Sequence, residues 1–162
     1  MDLSIWVGGV PNPVSVSASM TRLFPGKRGG VIAKEVHARF DAEDLMVAVA
    51  RFDNGATYVF EGNWCDERKN SHGFELVTER GTMRSDPFEV KVDKDGQIVD
   101  QTPQLKQADG WGESIRDQDA DLVGRLLSGT PWVMQEPHQL LNLQKLVDGC
   151  YASAAQGREV VF

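Results

Sequence analysis

Histidine and cysteine are the first residue types to consider for a metal site or for a nucleophile or general base. The three histidines, His37, His72 and His138, lie far apart, and none has a second ligand at the spacing of a helical turn or a hairpin. The two cysteines, Cys65 and Cys150, are 85 positions apart and form no CxxC motif. We therefore expect no metal site and no disulfide framework.

The glycine motifs do not predict a nucleotide site. Gly110-Trp111-Gly112 is a single GxG in a polar segment, whereas a dinucleotide-binding turn follows a strand and carries a third glycine. The sequence also has no GxSxG nucleophile elbow. From the residues alone we expect neither a catalytic set nor cofactor-binding residues in this chain.

Two tryptophans stand where an aromatic side chain could contact a ligand. Trp64 ends the stretch RFDNGATYVFEGNW at residues 51–64, and an indole offers a flat apolar face and one N–H donor. It is either the wall of a binding pocket or a core tryptophan at a strand end. Trp111 lies between two glycines in residues 101–117, which we predict to be irregular. It is either a contact with a substrate or subunit, or a plug over the core edge.

The elements that position these residues follow from the apolar pattern. Residues 1–9 predict the last part of a helix that stops at a glycine pair, and residues 11–23 predict a strand. Residues 45–52 are largely apolar on both faces, which is typical of a central strand covered on both sides. Asp53-Asn54-Gly55 predicts a hairpin turn into a second strand at residues 57–64.

The second half of the chain changes from strands to helices. Residues 74–101 predict three or four short strands, and the apolar spacing predicts a helix from Asp119 that Gly129 ends. A second helix begins at Pro137, ends at Gly157, and is followed by a terminal strand. Strands first and helices last predict an α+β fold, an open, predominantly antiparallel β-sheet with helices packed on one face.

Length and charge narrow the class of protein. A chain of 162 residues suits a single domain spanning residues 1–162. The net charge of −7, with acids and bases interspersed, argues against a nucleic-acid partner, which needs a clustered basic surface. Because the sequence has no run of 18 apolar residues and no charged-then-apolar leader, we expect no membrane segment and a cytoplasmic setting.

Three segments in this order resemble the C-terminal domain of the glucose-fructose oxidoreductase / inositol dehydrogenase / rhizopine catabolism (Gfo/Idh/MocA) family. Residues 1–18 are similar to the helix after the family's catalytic histidine and the strand that follows it. Residues 43–64 resemble its central hairpin, whose second strand ends in Ser-Trp or a similar pair. Residues 122–132 and 140–162 are similar to its closing helix pair and last strand.

The resemblance implies a dihydrodipicolinate-reductase-like C-terminal domain of an NAD(P)-dependent oxidoreductase that acts on a sugar or polyol. The family's N-terminal Rossmann domain with its GxGxxG turn, its Glu-Lys-Pro lysine and its Asp-xxx-His pair are absent from this sequence. We therefore expect a substrate-binding and oligomerisation domain that is not catalytically complete alone. Its partners would be the substrate, the missing Rossmann domain carrying NAD or NADP, and further copies of the chain.

The resemblance also implies candidate substrate contacts: Asp2, Trp64, Arg68, His72 and Trp111. Arg68 and His72 could donate hydrogen bonds to substrate hydroxyl or carboxylate groups, or be solvated loop residues. Asp2 could touch the substrate or orient the missing histidine, or simply stabilise a helix start by its charge. Without the Rossmann domain, the apolar side chains of residues 3–6 would be exposed, which favours self-association.

Two other functions stay open on the sequence. The chain is alternatively a stand-alone small-ligand-binding or scaffolding domain without enzymatic activity. A further interpretation is a hydrolase that uses His72 with Asp66 or Glu67. Loss of activity without loss of fold in a His72→Ala variant would distinguish this last function from the others.

Overall fold

A computed structural model of the protein describes residues 1–22, 35, 38–64, 72–105, 110–131 and 137–162, and the side chains of Trp111 and Pro137 lie outside the described part. The chain forms two compact units. Unit 1 comprises Met1–Asn70 and His138–Phe162, and unit 2 comprises Ser71–Pro137. That the whole chain acts as one domain stays a prediction.

Helices and strands in the described residues follow the predicted order. They are α1 (Asp2–Val7), β1 (Pro13–Thr21), β2 (Leu45–Phe52), β3 (Thr57–Asn63), β4 (Glu75–Thr78), β5 (Gly81–Ser85), β6 (Phe88–Lys94), β7 (Gln97–Asp100), α2 (Trp111–Ser128), α3 (Pro137–Gln156) and β8 (Val160–Val161). The predicted α+β class is confirmed, because the strands form two antiparallel sheets beside a few helices.

Unit 1 is built on a four-stranded antiparallel sheet with the strand order β3-β2-β1-β8. Side chains alternate between the two faces of a strand, so each face carries every second residue. One face, here called the helix-covered face, packs against α1 and α3 and forms the core. The core residues are Ile5, Val16, Ala48, Ala50, Phe52, Phe60, Leu146 and Cys150.

The predicted hairpin between β2 and β3 is confirmed. The Phe52 N–H donates to the Ala56 carbonyl oxygen at 3.0 Å, and the Gly55 N–H donates to the Phe52 carbonyl oxygen at 3.0 Å. Gly55 has a φ of 83°, a left-handed conformation that favours glycine. Asn54 completes the turn, because its Oδ1 accepts a hydrogen bond from the Ala56 N–H at 3.0 Å.

The opposite face of this sheet, here called the open face, differs from the prediction. It carries Ser15, Ser17, Ser19, Thr21, Leu45, Val47, Val49, Arg51, Thr57, Val59, Glu61, Asn63 and Val161. Val47 is 43% exposed and Val59 is 71% exposed. The prediction that residues 45–52 are covered on both sides is therefore wrong, although β2 does lie inside the sheet. A strand that is apolar on both faces can have its second face either buried or exposed, and the residue pattern alone does not tell which.

Helix α3 provides most of the cover for the sheet. It begins at Pro137 and ends before Gly157, as predicted. Leu146 is fully buried in the core. Ser153 is also buried, and its Oγ accepts a hydrogen bond from the Ala18 N–H at 2.9 Å and donates to the Arg158 carbonyl oxygen at 2.6 Å. Strand β8 pairs with Ser15 and Val16 of β1 and ends there. The Ser153 hydroxyl therefore takes the place of a β8 carbonyl oxygen as the acceptor for the backbone N–H of Ala18.

Helix α1 also lies against the core. Ile5 is buried there, and the Tyr58 hydroxyl donates to the Ser4 carbonyl oxygen at 3.4 Å. Leu3 and Trp6 are exposed, as expected for residues 3–6, but the expectation of an exposed Ile5 is wrong. A helix this short turns one side to the sheet, which the residue pattern alone did not identify.

Unit 2 contains a four-stranded antiparallel meander in the order β4-β5-β6-β7, which confirms the predicted short strands. Its helix α2 begins at Trp111, so the predicted start at Asp119 and the predicted irregular segment up to residue 117 are wrong. Residues 113–121 are mostly polar, and an exposed helical turn needs no apolar periodicity. The predicted end at Gly129 is confirmed by its left-handed φ of 67°.

Candidate functional site

The end of β3 that carries Trp64 is the best-defined part of the predicted site. The backbone N–H of Trp64 donates to the Asp44 carbonyl oxygen at 2.8 Å. The backbone N–H of Asp44 donates to the Thr21 carbonyl oxygen at 3.1 Å. These bonds tie the ends of β1 and β3 to the residue before β2. The Trp64 side chain is 81% exposed, so it is not a core tryptophan. An exposed indole at an ordered strand end offers a flat apolar surface to a ligand.

Asp44 is a residue that the sequence analysis missed. It lies directly before the apolar strand β2 and is only 2% exposed. Buried carboxylates are uncommon in proteins and require polar partners. The signal in the sequence was an acid placed immediately before an apolar run, but a solvated loop gives the same pattern.

Glu43 and Tyr151 form a second polar contact next to this strand end. The Tyr151 hydroxyl donates a hydrogen bond to the Glu43 Oε1, which joins α3 to the segment before β2. The bond to this carboxylate raises the pKa of the Tyr151 phenol above its usual range. The preceding residue of α3, Cys150, is buried in the core, whereas Tyr151 is half-exposed.

The other predicted substrate contacts lie in different parts of the chain. Asp2 is the first residue of α1, in the first helical turn, where its charge is favourable. His72 is exposed in the segment before β4 of unit 2. Trp111 is the first residue of α2 and does not lie in an irregular loop, and its side chain is outside the described part. Arg68 lies outside the described residues. The role of all five in substrate binding stays a prediction.

A groove of about 420 Å³ lies on the meander of unit 2. Four of its charged lining residues bond in pairs: Arg84 donates to Glu75 at 3.2 Å, and Lys91 donates to Glu89 at 3.2 Å. All four side chains are partly solvated. The groove is therefore a polar sheet surface on which these four charges already have partners, and it is a weaker candidate than the Trp64 strand end.

The structure provides no metal site or membrane span in the part that it describes. Within those ranges, no three His, Cys, Asp or Glu side chains are grouped so that they could hold a metal ion. No described helix combines the length and the apolar character that crossing a membrane requires.

Comparison with solved structures identifies proteins of the same fold. Levoglucosan dehydrogenase in complex with NADH and levoglucosan matches with a TM-score of 0.71 and 18% identity, over 99% of this chain and 47% of its own. Aldose-aldose oxidoreductase from Caulobacter crescentus, complexed with glycerol, matches with a TM-score of 0.68 and 17% identity, over 99% and 44%. An oxidoreductase from Agrobacterium radiobacter, in complex with NAD+, L-tartaric acid and magnesium, matches with a TM-score of 0.66 and 21% identity, over 99% and 46%.

These matches show the fold, and the chain spans less than half the length of each of these proteins. A search of the curated proteins finds no match. The family model of the GFO/IDH/MocA C-terminal domain matches residues 1–84, which include α1, β1 and the central hairpin. This match covers more than half of the 162 residues and contains two of the three segments on which the resemblance rested. The chain therefore belongs to the GFO/IDH/MocA family, as a C-terminal domain.

Proposed function

We propose that this chain is the substrate-binding and oligomerisation domain of an NAD(P)-dependent oxidoreductase that acts on a sugar or polyol. The observation that carries the proposal is the match of 99% of this chain to less than half of oxidoreductases such as levoglucosan dehydrogenase, which is seen with NADH and levoglucosan. The remaining part of such a protein would bind the nicotinamide and supply the catalytic base. The chain alone is not catalytically complete. A cytoplasmic setting fits this function.

The Trp64 strand end supports the substrate-binding part of the proposal. Sugars and polyols present C–H groups and hydroxyl groups together, and an exposed indole packs on the former while its N–H donates to the latter. Trp64 is mostly exposed and held by its backbone bond to Asp44. One residue before Asp44, the Glu43 carboxylate accepts a hydrogen bond from the Tyr151 phenol of α3. Polar groups around an apolar surface are typical of sites for small hydroxylated ligands.

The open face of the unit 1 sheet supports the oligomerisation part. It presents exposed Val47, Val59 and Val161 beside the small side chains of β1. Several exposed apolar side chains on one face of an ordered sheet favour a protein contact. The Arg51 and Glu159 side chains bond at 2.6 Å at the edge of this face, which adds a polar rim. A second copy of the chain packed on this face would bury the valines.

The described residues do not fit a nicotinamide dinucleotide. A pyrophosphate is typically bound where a strand leads through a glycine-rich turn into a helix N-terminus. Both sheets described here are antiparallel, and none of the described strands leads directly into a helix. We therefore assign the NAD or NADP site to the Rossmann domain of the complete oxidoreductase and derive no reaction step through it.

Size-exclusion chromatography with light scattering, combined with a fluorescence titration of NADH, tests the proposal. We expect a dimer or larger assembly that does not bind NADH. Addition of a family Rossmann domain in trans, or its fusion before Met1, should be required for NADH binding. A monomer would overturn the oligomerisation part, and tight NADH binding by this chain alone would overturn the assignment of the dinucleotide site to a Rossmann domain.

A further inference from the structure

Gly62 leaves an open position on the helix-covered face of the unit 1 sheet. It pairs with Met46 in the register of β2 and β3, and a Cβ atom at Gly62 would have no described atom within 4 Å. Phe60 lies two residues earlier on the same face and is buried, whereas Gly62 is exposed. The covered core therefore ends between these two residues.

Trp64 follows this open position by two residues along the chain. The bond from the Trp64 N–H to the Asp44 carbonyl oxygen continues the β2–β3 ladder one step beyond the pair of Leu45 and Asn63. The alternation of side chains then places Trp64 on the same face as Gly62. Two residues along a strand span about 7 Å, which is enough for one sugar ring.

We propose that Gly62 and Trp64 form a subsite for one ring, or one short carbon chain, of a carbohydrate or polyol ligand. The indole packs on the C–H face of the ligand, and the missing side chain at Gly62 provides the space that the ligand occupies. The inference rests on the proposed function, because it takes the same substrate class, and it adds a residue that determines which ligands fit.

Glu43 is a carboxylate one residue before Asp44, whose carbonyl oxygen binds the Trp64 backbone N–H. The Glu43 side chain is fixed by the hydrogen bond from the Tyr151 hydroxyl. A carboxylate has more acceptor positions than one phenol fills, so it can accept further hydrogen bonds from ligand hydroxyl groups. The pairing of an apolar ring surface with a fixed acceptor suits a polyhydroxylated ligand better than a purely apolar one.

The backbone at this position does not itself require glycine. Gly62 is absent from the glycines with positive φ, and it lies in a regular antiparallel pairing with Met46. A larger side chain can therefore adopt the same strand conformation and meet no described atom. Substitution at Gly62 is thus a test of the space beside Trp64 without an obstacle to folding.

Levoglucosan is the probe for the test, and the readouts are the Trp64 indole N–H signal in an NMR titration and saturation transfer to the ligand. We expect the wild-type signal to shift, and Gly62→Leu to weaken binding by about tenfold or more, because a branched side chain fills the space. Gly62→Ala should weaken it less. Val77→Leu adds similar bulk at an exposed valine of unit 2, away from both proposed contacts of unit 1, and should bind like the wild type.

The outcomes separate the inference from the proposed function. If Trp64→Ala abolishes saturation transfer while Gly62→Leu binds as tightly as the wild type, the inference is overturned and the proposed function stands. If levoglucosan, glycerol and L-sorbose all leave the wild-type signals unchanged, substrate binding at Trp64 is overturned and the inference with it. If the amide spectrum of Gly62→Leu shows that its fold has changed, the binding affinity of Gly62→Ala decides the inference. An affinity below that of the wild type supports it, and an unchanged affinity overturns it.

Discussion

Gly149 of α3 faces the ring of Phe162, the residue that follows β8. A Cβ atom at Gly149 would lie 2.4 Å from Phe162 Cζ and 3.0 Å from Val16 Cγ1. The ring is held on other sides as well, since the Phe162 N–H donates to the Val14 carbonyl oxygen at 3.0 Å and Lys145 Nζ lies 5.1 Å from the ring centroid. The missing side chain at Gly149 thus allows α3 to approach the sheet closely.

Gly149→Ala should therefore destabilise the protein by about 1–3 kcal/mol, because the new methyl group overpacks the contact with Phe162. Alanine is the better helix former by about 1 kcal/mol, so a destabilisation shows that the steric clash dominates. Denaturant unfolding measures the free energy. Gly124→Ala in α2 is the matched control, since a Cβ there meets no described atom, and it should be neutral or stabilising. A stabilised Gly149→Ala would contradict the close approach.

Ser153→Ala should destabilise unit 1 by about 1–3 kcal/mol, because the Ala18 N–H loses its acceptor in a buried place. The Arg158 carbonyl oxygen loses a donor at the same time. The control is Ser17→Ala, on the open face of β1, the strand that also carries Ala18. It should change the free energy of unfolding by less than about 0.5 kcal/mol. Equal effects of the two substitutions would show that the Ser153 hydroxyl has no special role.

Asn12 should control the titration of Asp53 in the hairpin turn. The Asn12 Nδ2 donates to Asp53 Oδ2 at 2.7 Å, and the Asn12 backbone N–H donates to Asp53 Oδ1 at 2.9 Å. These bonds, the side-chain bond first, lower the pKa of the Asp53 carboxyl. We expect Asn12→Ala to raise this pKa toward its ordinary value of about 3.9, as measured by NMR titration of the side-chain carbon.

The same pair predicts the sign of a pH effect on stability. Because the folded pKa of Asp53 is lowered, its contribution is fully present above the unfolded pKa of about 3.9 and is lost as the pH falls through the folded pKa. The difference in free energy of unfolding between the wild type and Asn12→Ala should therefore shrink in acid. Asn142→Ala, which removes a donor to Asn12 Oδ1 and leaves the carboxylate bonds, is the control.

Val59→Lys should weaken self-association without unfolding the chain, because a lysine on the open face introduces a charge that a second copy would have to desolvate. Light scattering measures the change in assembly size, and circular dichroism checks the fold. Val77→Lys places the same charge at a similarly exposed valine in unit 2 and should leave the assembly unchanged. If both variants remain oligomeric, the open face is not the contact.

The elements that the sequence predicted well are those with strong local signals. These signals come from residues with special backbone preferences. They are the turn residues Asp53–Gly55, the glycine that ends α2 and the proline that begins α3. The start of α2 at Trp111 was missed because a polar, exposed turn has no apolar period. The open face was missed because β2 is apolar on both sides, although helices cover only one of them.

The candidate site was predictable only in part. Trp64 stood out as an aromatic residue at a strand end; the structure shows that it is exposed, and its role in ligand binding stays a prediction. The contribution of Glu43, Asp44 and Tyr151 depends on contacts between segments far apart in the chain, such as the 108 positions between Glu43 and Tyr151. Gly62 gave no signal, because a glycine in a strand has many explanations until the space around it is known.

The pairing of β8 with β1 affects how the chain folds during synthesis. The Ser15 hydroxyl donates to Glu159 across 144 positions, and the core needs Leu146 and Cys150 from α3. Unit 2 is continuous from Ser71 to Pro137, so it is complete before these residues leave the ribosome. Unit 1 must therefore hold its first three strands without the cover of α3 until α3 and β8 have been synthesised. Such long-range closure slows folding, and a chaperone that shields the exposed hairpin would raise the yield of native protein.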